Sequence, residues 1–304
     1  MMDKELLYRE LIELCGEDNV LVDEPLKNHT LVRIGGKADY LVMPQTIDQV
    51  TKIIHLKEAY NVPFTLLGNG SNVVVRDGGI RGIVMQLKHL NEIRVDGTRM
   101  IAQGGANIKD ASRIALEHSL TGLEFACGIP GSIGGAMVMN AGAYGGEVKE
   151  VVEYVTVVTL KGDVRTLTKD ELQLGYRTSI LSKTKDVVVE AVFQLKEGNK
   201  EEIKAKMDDF THQRESKQPL EYPSVGSVFK RPPGYYAGKL IQDSGLQGKG
   251  VGGAEVSTKH AGFIINKNNA TAKDYIATIE MVRKKVKETF GVELELEAKI
   301  IGED

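Results

Sequence analysis

Residues 128–136 read GIPGSIGGA, and residues 139–147 read MNAGAYGGE. The two stretches contain few bulky side chains, although apolar residues such as Ile129 and Ile133 are interspersed among the glycines. Those apolar residues argue against a flexible linker, which is built mainly of small polar residues and glycine. Small side chains instead let a backbone lie closely against a flat ligand or a pyrophosphate. The pattern therefore indicates that residues 128–147 line a ligand site.

A second glycine motif, GNGSN at residues 68–72, directly follows an apolar segment that predicts a strand over residues 64–67. Glycines in such a loop allow a sharp turn and can present backbone N–H groups to phosphate oxygens. The motif is not a Rossmann fingerprint, because Val73 stands where a third glycine is required and leads into a strand. Taken alone, the motif also fits a tight hairpin turn.

The glycines are concentrated in one part of the chain, since residues 68–146 hold sixteen of the 33 glycines among 304 residues. The charges are nearly balanced, with 39 basic and 42 acidic side chains, so nothing suggests a nucleic-acid partner. The chain shows no long apolar run, no secretory leader and only two distant cysteines. We expect a cytoplasmic protein that has no membrane or nucleic-acid partner and no metal site.

The periodicity of apolar residues predicts a mixture of helices and strands. The strongest strand patterns cover residues 151–160 and 187–195, and a helix is expected over residues 3–15. Asn107 is predicted to cap another helix, Thr271 with Asp274 resembles a capping box, and the chain is expected to end in a strand over residues 293–301. These elements indicate an α+β fold.

The two glycine motifs together resemble the FAD-binding domain of the vanillyl-alcohol-oxidase, or PCMH, type. Further motifs narrow the resemblance to the UDP-N-acetylenolpyruvoylglucosamine reductase (MurB) family. They read NHTLVRIGGKADY at residues 28–40, LGYRTS at 174–179, PSVGSVFKRP at 223–232 and LELEAKIIG at 294–302. The ordered set covers nearly the whole chain. The short span between Arg177 and the strand at Val187 is similar to the subgroup that lacks a tyrosine-bearing insertion, the short-loop or type II-like subgroup.

The resemblance implies a two-lobed PCMH-type FAD-binding domain and a smaller α+β substrate-binding domain. The expected division has three parts. They are a first FAD-binding lobe at residues 1–67 closed by a C-terminal strand at 291–304, a second FAD-binding lobe at 68–204, and the substrate-binding domain at 205–290.

The resemblance also implies an activity. NADPH as co-substrate would reduce a non-covalently bound FAD. Hydride would then pass to C3 of the enolpyruvyl group of UDP-N-acetylglucosamine enolpyruvate, and a proton would pass to C2. The product, UDP-N-acetylmuramate, is a precursor of peptidoglycan, which links the activity to cell-wall growth, cell shape and division. We expect a monomer whose partners are the UDP-sugar and NADPH.

Three residues match the family's catalytic positions. Arg177 would stabilise the negative charge that builds toward the substrate carboxylate, for which a planar guanidinium is well suited. Ser227 would donate the proton to C2, which requires a neighbouring cation such as Lys230 or Arg231 because serine is a weak acid. Glu297 would act as a second acid or orient the arginine. Without the resemblance, each residue also fits an ordinary surface or loop role.

The glycine motifs supply the residues expected to bind FAD: Gly68, Asn69, Gly70, Ser71, Asn72, Gly128, Pro130, Gly131, Ser132, Gly134, Gly135, Asn140, Ala141, Gly142, Tyr144 and Gly145. Bulky replacements at Gly70 or Gly131 are expected to abolish flavin binding before they unfold the protein. Polar and aromatic residues expected to contact the UDP-sugar are Tyr176, Arg214, Lys217, Lys230, Tyr236 and Lys239.

Two alternatives stay open. One is another flavin enzyme of the same fold, such as an oxidase of a small alcohol or sugar, which should lack the Gly226-Ser227 loop and the terminal Glu297. The other is a flavin-binding protein without catalysis, which has no need to retain Arg177, Ser227 and Glu297 together.

Overall fold

The computed structural model describes residues 4–304, so Asp3, the first residue of the predicted N-terminal helix, lies outside the described part. The chain forms two compact units and passes between them several times. Unit 1 comprises residues 1–22, 40–69 and 82–213, and unit 2 comprises residues 23–39, 70–81 and 214–304. The predicted three-part division follows other boundaries and stays a prediction.

The chain contains both helices and largely antiparallel sheets, as expected of an α+β fold. The α-helices are α1 (Lys4–Cys15), α2 (Ile47–Ala59), α3 (Ile108–Glu117), α4 (Ile133–Met139), α5 (Val148–Val151), α6 (Leu181–Thr184), α7 (Lys200–Lys217), α8 (Ala237–Asp243) and α9 (Ala272–Phe290).

The strands of the first half of the chain are β1 (Val20–Pro25), β2 (Lys37–Val42), β3 (Phe64–Leu66), β4 (Val73–Val75), β5 (Ile80–Met85), β6 (Ile93–Asp96), β7 (Arg99–Gln103), β8 (Leu120–Thr121), β9 (Gly142–Ala143) and β10 (Gly146–Glu147). Those of the second half are β11 (Val152–Val158), β12 (Val164–Thr168), β13 (Val187–Gln194), β14 (Lys196–Glu197), β15 (Ser224–Ser227), β16 (Gly250–Val251), β17 (Ala254–Val256), β18 (Phe263–Asn266) and β19 (Lys299–Ile301).

Unit 1 is built around an antiparallel sheet of five strands in the order β12-β11-β13-β7-β6. The valine-rich strands β11 and β13 lie next to each other, with Val155 paired to Ala191. Helices α3 and α4 pack on this sheet and bury Ile108, Ile133 and Met137. A second apolar cluster in the same unit surrounds helices α1 and α2. The rigid sheet and α4 fix the backbone on either side of the glycine-rich segment.

Unit 2 contains an antiparallel sheet in the order β15-β18-β17-β16, and helix α9 packs against it. Tyr275 of α9 is fully buried, and its hydroxyl donates a hydrogen bond of 2.7 Å to Ile264 O. The terminal strand β19 pairs in parallel with β4, where Lys299 lies opposite Val73. The predicted strand over residues 293–301 is therefore confirmed only at its end, because residues 293–298 form an irregular segment with isolated contacts.

The predicted helix caps have different outcomes. The capping box of α9 is confirmed, because Thr271 and Asp274 exchange both hydrogen bonds, and the Asp77 carboxylate also accepts from the Ala272 N–H (2.8 Å). Asn107 is the N-cap residue of α3, as predicted, but its side chain makes no capping hydrogen bond to the helix backbone. Its Oδ1 instead accepts a hydrogen bond of 2.6 Å from Asn69 Nδ2.

Within residues 4–304, no helix combines the length and the apolar character that crossing a lipid bilayer requires.

Candidate functional site

The first glycine motif and the start of α4 lie side by side in unit 1. A Cβ added to Gly68 would stand 2.8 Å from Ser132 Oγ, so the two backbones approach closely. The Gln86 side chain donates a hydrogen bond of 2.9 Å to Gly68 O, and Asn69 is held by Asn107. Unit 1 therefore brings Gly68 and Asn69 of the first motif next to Ser132 of the second.

The backbone N–H groups at the start of α4 are already used within unit 1. Ile133 N donates to Ala106 O (2.8 Å) and Gly134 N donates to Gly104 O (2.8 Å), while Gly135 N donates to Ser132 Oγ (3.2 Å). Gly134 and Gly135 thus offer a bare backbone surface and not a set of open donors. This refines the expectation of a phosphate cradle in the second motif.

The loop at residues 68–72 is different, since none of its backbone N–H groups donates a hydrogen bond within the described part of the chain. A boundary between the units follows Asn69, so Gly70, Ser71 and Asn72 belong to unit 2. Backbone N–H groups that are not used internally suit a bound anion such as a phosphate. These unused backbone N–H groups are the observation that supports binding of a dinucleotide cofactor.

Gly70 has a structural role of its own in unit 2. Its φ is +61°, and an added Cβ would stand 2.2 Å from His29 O. Its carbonyl accepts a hydrogen bond of 3.0 Å from Leu31 N. A side chain at position 70 would push apart backbone segments, so a replacement there should also disturb the fold of unit 2, and the expected order of flavin loss and unfolding stays a prediction.

The second glycine stretch is organised around Asn140, which is buried and has a φ of +43°. Its Nδ2 donates to Glu147 Oε2 (3.0 Å) and to Gly175 O (3.1 Å), while its Oδ1 accepts from Lys149 N (2.9 Å). The Asn140 amide therefore joins the glycine-rich segment to the loop that begins at Gly175.

Arg177 lies on that loop in unit 1, directly against the glycine-rich segment. Its Nη2 donates a hydrogen bond of 3.1 Å to Gly142 O, and its guanidinium lies 5.5 Å from the centre of the exposed Tyr176 ring. Ser179 Oγ donates to Val138 O (2.9 Å) at the far end of the loop. The predicted catalytic arginine is thus brought together with the predicted cofactor residue Gly142.

Tyr144 and Gly145 form the exposed turn between β9 and β10. The Tyr144 ring stacks on Phe210 of α7, with ring centres 4.5 Å apart and an interplanar angle of 9°. Gly145 has a φ of +86° and open space around its Cβ position. The remaining predicted residues of the segment flank α4: Gly128 and Ala141 are half-buried, Pro130 is exposed, and Gly131 O accepts from Ile108 N (3.0 Å).

Ser227 and Glu297 lie close together in unit 2. Ser227 is exposed at the end of β15, after Gly226 with its φ of +77°. Glu297 N donates a hydrogen bond of 2.9 Å to the carbonyl of Val228, the residue after Ser227. Phe229 and Leu296 form an antiparallel bridge beside this contact. Two residues that are 70 positions apart in the sequence therefore occupy adjacent backbone segments.

Asn72 also forms hydrogen bonds with the backbone of Glu297 and Lys299. Its side-chain Nδ2 donates to Glu297 O (3.1 Å), and its backbone carbonyl accepts from Lys299 N (3.0 Å). Asn72 was expected to bind the cofactor, and the structure shows it holding the backbone on both sides of Ala298.

The residues predicted to bind the UDP-sugar are scattered over several environments. Lys230 forms an ion pair with Glu295, and Lys239 forms one with Asp243. Tyr236 is exposed and packs under the Arg231 guanidinium at 3.9 Å from the ring centre. Arg214 and Lys217 lie in the last turns of α7. Lys230, Tyr236 and Lys239 belong to unit 2 and Tyr176 to unit 1.

Sequence reasoning missed Glu147 and Ser179 as supports of the Arg177 loop. Both lie inside motifs that were singled out, but neither the bond from Asn140 Nδ2 to the Glu147 carboxylate nor the bond from Ser179 Oγ to Val138 O leaves a recognisable pattern in the sequence. The left-handed backbone of Asn140 was the available signal, because asparagine is favoured over other non-glycine residues there.

Models of two protein families match the chain. The model described as "FAD binding domain" matches residues 38–168, and the model described as "UDP-N-acetylenolpyruvoylglucosamine reductase, C-terminal domain" matches residues 218–301.

Individual proteins agree with the family models. The chain is 73% identical over 304 residues, covering all of both chains, to UDP-N-acetylenolpyruvoylglucosamine reductase of Geobacillus kaustophilus. The solved structure of that reductase from Thermus caldophilus is 33% identical, with a TM-score of 0.79 over 92% of this chain and 97% of the other. The structure of Phl p 4.0202, a glucose dehydrogenase, matches in fold alone, with 14% identity, a TM-score of 0.51, and 64% and 44% of the two chains covered. The chain therefore belongs to the family of UDP-N-acetylenolpyruvoylglucosamine reductases, FAD-dependent oxidoreductases in which an FAD-binding domain is joined to a C-terminal domain characteristic of the family.

Proposed function

We propose that the chain uses NADPH to reduce UDP-N-acetylglucosamine enolpyruvate to UDP-N-acetylmuramate. In the balanced reaction, one hydride and one proton add across the carbon–carbon double bond, and NADPH becomes NADP⁺. The family supports the substrate class. The observation that carries the catalytic assignment is the hydrogen bond from Glu297 N to Val228 O, which brings Glu297 beside Ser227.

FAD would be held in unit 1 by the bare backbone around Gly68, Ser132 and Gly134, and by the N–H groups of Gly68 and Asn69. Once reduced by NADPH, the bound flavin would supply the hydride that adds to C3. The close approach of Gly68 to Ser132 supports this assignment, because larger side chains would fill the surface that both backbones offer. The fixed positions of Asn69 and Gln86 keep this surface in shape without a ligand.

Arg177 would bind the carboxylate of the enolpyruvyl group. Addition of hydride to C3 drives negative charge toward that carboxylate, so a fixed cation stabilises the transition state more than the bound substrate. The hydrogen bond from Arg177 to Gly142 O supports this role, since it leaves the planar guanidinium anchored at one of its nitrogens. A guanidinium held in this way needs little reorganisation when charge develops.

Ser227 would give its proton to C2, and Glu297 would act as the neighbouring acid. The exposed Ser227 hydroxyl can reach a substrate, and Gly226 before it leaves open space around the backbone. Because serine is a weak acid, the alkoxide formed needs a nearby cation or a second proton donor. The backbone contact between Glu297 and Val228 supports Glu297 as that second donor, whereas Lys230 is already engaged with Glu295.

Tyr176, Arg214, Lys217, Lys230, Tyr236 and Lys239 stay candidates for the UDP-sugar. Among these, Tyr236 has the most specific support, because the Arg231 guanidinium stacked on its ring gives a cation and an aromatic face in one place. We also propose that the protein acts as a monomer in the cytoplasm, where it supplies a precursor of peptidoglycan.

Anaerobic mixing of the FAD-loaded protein tests the function in two steps. NADPH should bleach the visible flavin band, and UDP-N-acetylglucosamine enolpyruvate should then restore it while UDP-N-acetylmuramate forms. NADH at the same concentration should bleach the band more slowly. A flavin that NADPH reduces but the enolpyruvyl substrate cannot reoxidise would contradict the proposal. A glucose or alcohol substrate that reduces the flavin would favour an oxidase of the same fold instead.

A further inference from the structure

Asn140 uses every hydrogen-bonding direction of its buried amide except one acceptor position. The two Nδ2 protons go to Glu147 Oε2 and to Gly175 O, and Oδ1 accepts from Lys149 N. Such an amide is satisfied only when all three partners are in place, and a buried polar atom left unsatisfied costs about 1–3 kcal/mol. The position of Gly175 is therefore tied to the segment at residues 140–149.

The loop from Gly175 to Ser179 is held at three points on the glycine-rich segment. Gly175 O accepts from Asn140, Arg177 Nη2 donates to Gly142 O, and Ser179 Oγ donates to Val138 O. The Asn140 side chain also bonds Glu147 and Lys149, which lie further along the segment. It therefore sets where the loop begins relative to Gly142.

The backbone of Arg177 itself requires such support. Its φ of +54° lies in the left-handed region, which costs a residue with a side chain about 1–2 kcal/mol. A conformation of this kind persists only when neighbouring contacts hold it. The loop also closes on itself through paired hydrogen bonds between Gly175 and Thr178, so a shift of Gly175 would be passed directly to Arg177.

We propose that Asn140 is a positioning residue for Arg177, acting through Gly175 O, and not primarily a cofactor ligand as its sequence motif indicates. This inference rests on the proposed function, in which Arg177 binds the substrate carboxylate. Asn140 joins the segment expected to lie along the flavin to the loop that carries the arginine. Its hydrogen bonds hold the guanidinium at a constant place relative to that segment.

The test compares half-reactions in a double-mutant cycle on the FAD-loaded protein. Asn140→Asp replaces the Nδ2 donor by an acceptor that repels both Gly175 O and the Glu147 carboxylate but keeps the bond from Lys149 N. It should leave flavin reduction by NADPH within about 2-fold of the original chain and slow reoxidation by the enolpyruvyl substrate by about 10-fold or more, because small misplacements of a catalytic group can cost that much. In an Arg177→Lys background, the same change should slow reoxidation by less than about 2-fold, as expected for coupled residues.

Two further variants keep the test independent of stability. Asn140→Gly removes the amide but adopts a positive φ without strain, so it should fold and show the same selective loss. Asn19→Asp is the matched control, since Asn19 is also buried in unit 1 and donates from Nδ2 to a backbone carbonyl, Cys15 O, at 2.9 Å. The Asn19→Asp variant should lower the melting temperature, but it should not slow flavin reoxidation selectively relative to flavin reduction.

Equal effects of Asn140→Asp in both backgrounds, or equal losses in both half-reactions, would overturn the positioning role. A loss of FAD affinity as the main effect would show that Asn140 serves the cofactor. If the original chain itself fails to reoxidise with the enolpyruvyl substrate, the proposed function fails, and this outcome is separate from the behaviour of the Asn140 variants.

Discussion

Arg177 and Gly142, 35 residues apart, are joined by a hydrogen bond of 3.1 Å from the guanidinium Nη2 to the backbone carbonyl. This contact anchors the predicted catalytic cation on the segment predicted to lie along the flavin. The anchor uses one edge of the planar group, so the position of the charge depends on the shape of arginine and not on its charge alone.

Replacing Arg177 by lysine should therefore impair catalysis although the positive charge remains. A lysine ammonium cannot reproduce the planar fork that donates to Gly142 O and that we propose binds the substrate carboxylate. We expect reoxidation of the reduced flavin to slow by about 10²-fold or more, as when one donor to a developing charge is lost. Stopped-flow absorbance would measure both half-reactions. Unchanged reoxidation would show that charge alone is sufficient.

The cap of α4 should matter for FAD binding as well as for stability. Ser132→Ala removes the hydroxyl that accepts from Gly135 N and lies beside Gly68, which should cost about 1 kcal/mol of stability and lower FAD affinity. The control is Thr46→Ala, which removes the corresponding cap of α2, where Thr46 Oγ1 accepts from Gln49 N. Fluorescence titration of the apoprotein with FAD should show weaker binding for the Ser132 variant only. Equal FAD affinities would argue against a flavin near Ser132.

Two glycines with positive φ should respond differently to alanine. Gly145→Ala meets open space and should cost about 1 kcal/mol for the left-handed backbone alone. Gly70→Ala adds a contact of 2.2 Å with His29 O, so its backbone must move and the loss of stability should be larger. Urea unfolding of the two variants measures the difference. Equal losses would mean that the close approach at Gly70 relaxes without cost.

The buried carboxylate of Glu124 predicts a pH effect on stability in unit 1. Burial raises the pKa of the Glu124 carboxyl, but hydrogen bonds from Thr121 and Gly122 and the charge of Lys206 outweigh burial and hold the pKa below its ordinary value of 4.5. A lowered pKa in the folded state stabilises the fold above the ordinary value, and this contribution is lost as the pH falls through the folded pKa.

Glu124→Gln should consequently lower the free energy of unfolding at neutral pH, and the difference from the original chain should shrink as the pH falls below about 4.5. Urea unfolding at several pH values would show it. A difference that stays constant with pH would contradict the assignment.

The sequence predicted regular elements well where local chemistry decides them. Strands β11 and β13, rich in valine, and the capping box of α9 lie where the patterns indicated. The final strand was predicted too long because the alternation of Glu293, Glu295 and Glu297 imitates a strand. In the structure, residues 295–298 instead contact the segment at residues 228–230 through isolated hydrogen bonds, which local alternation cannot reveal.

The site could be predicted as a set of motifs but not as a set of contacts. The glycine clusters indicated a bare backbone, and unit 1 does bring Gly68 next to Ser132. The partners of Asn107 and Asn140 could not be foreseen, because each amide bonds to residues that are distant in the sequence. The need for glycine at position 70 could not be foreseen either, because it comes from the close approach of the His29 backbone, which is distant in the sequence.

We expect Ser227, with Glu297 beside it, to serve only the second half-reaction. Anaerobic single-turnover measurements on Ser227→Ala test it, with Ser244→Ala as the control, since the Ser244 hydroxyl donates to Leu240 O (2.8 Å) at the end of α8. We predict that the Ser227 variant is reduced by NADPH at the rate of the original chain and is reoxidised by UDP-N-acetylglucosamine enolpyruvate about 10²-fold or more slowly. Equal slowing of both half-reactions, or unchanged reoxidation, would contradict the account.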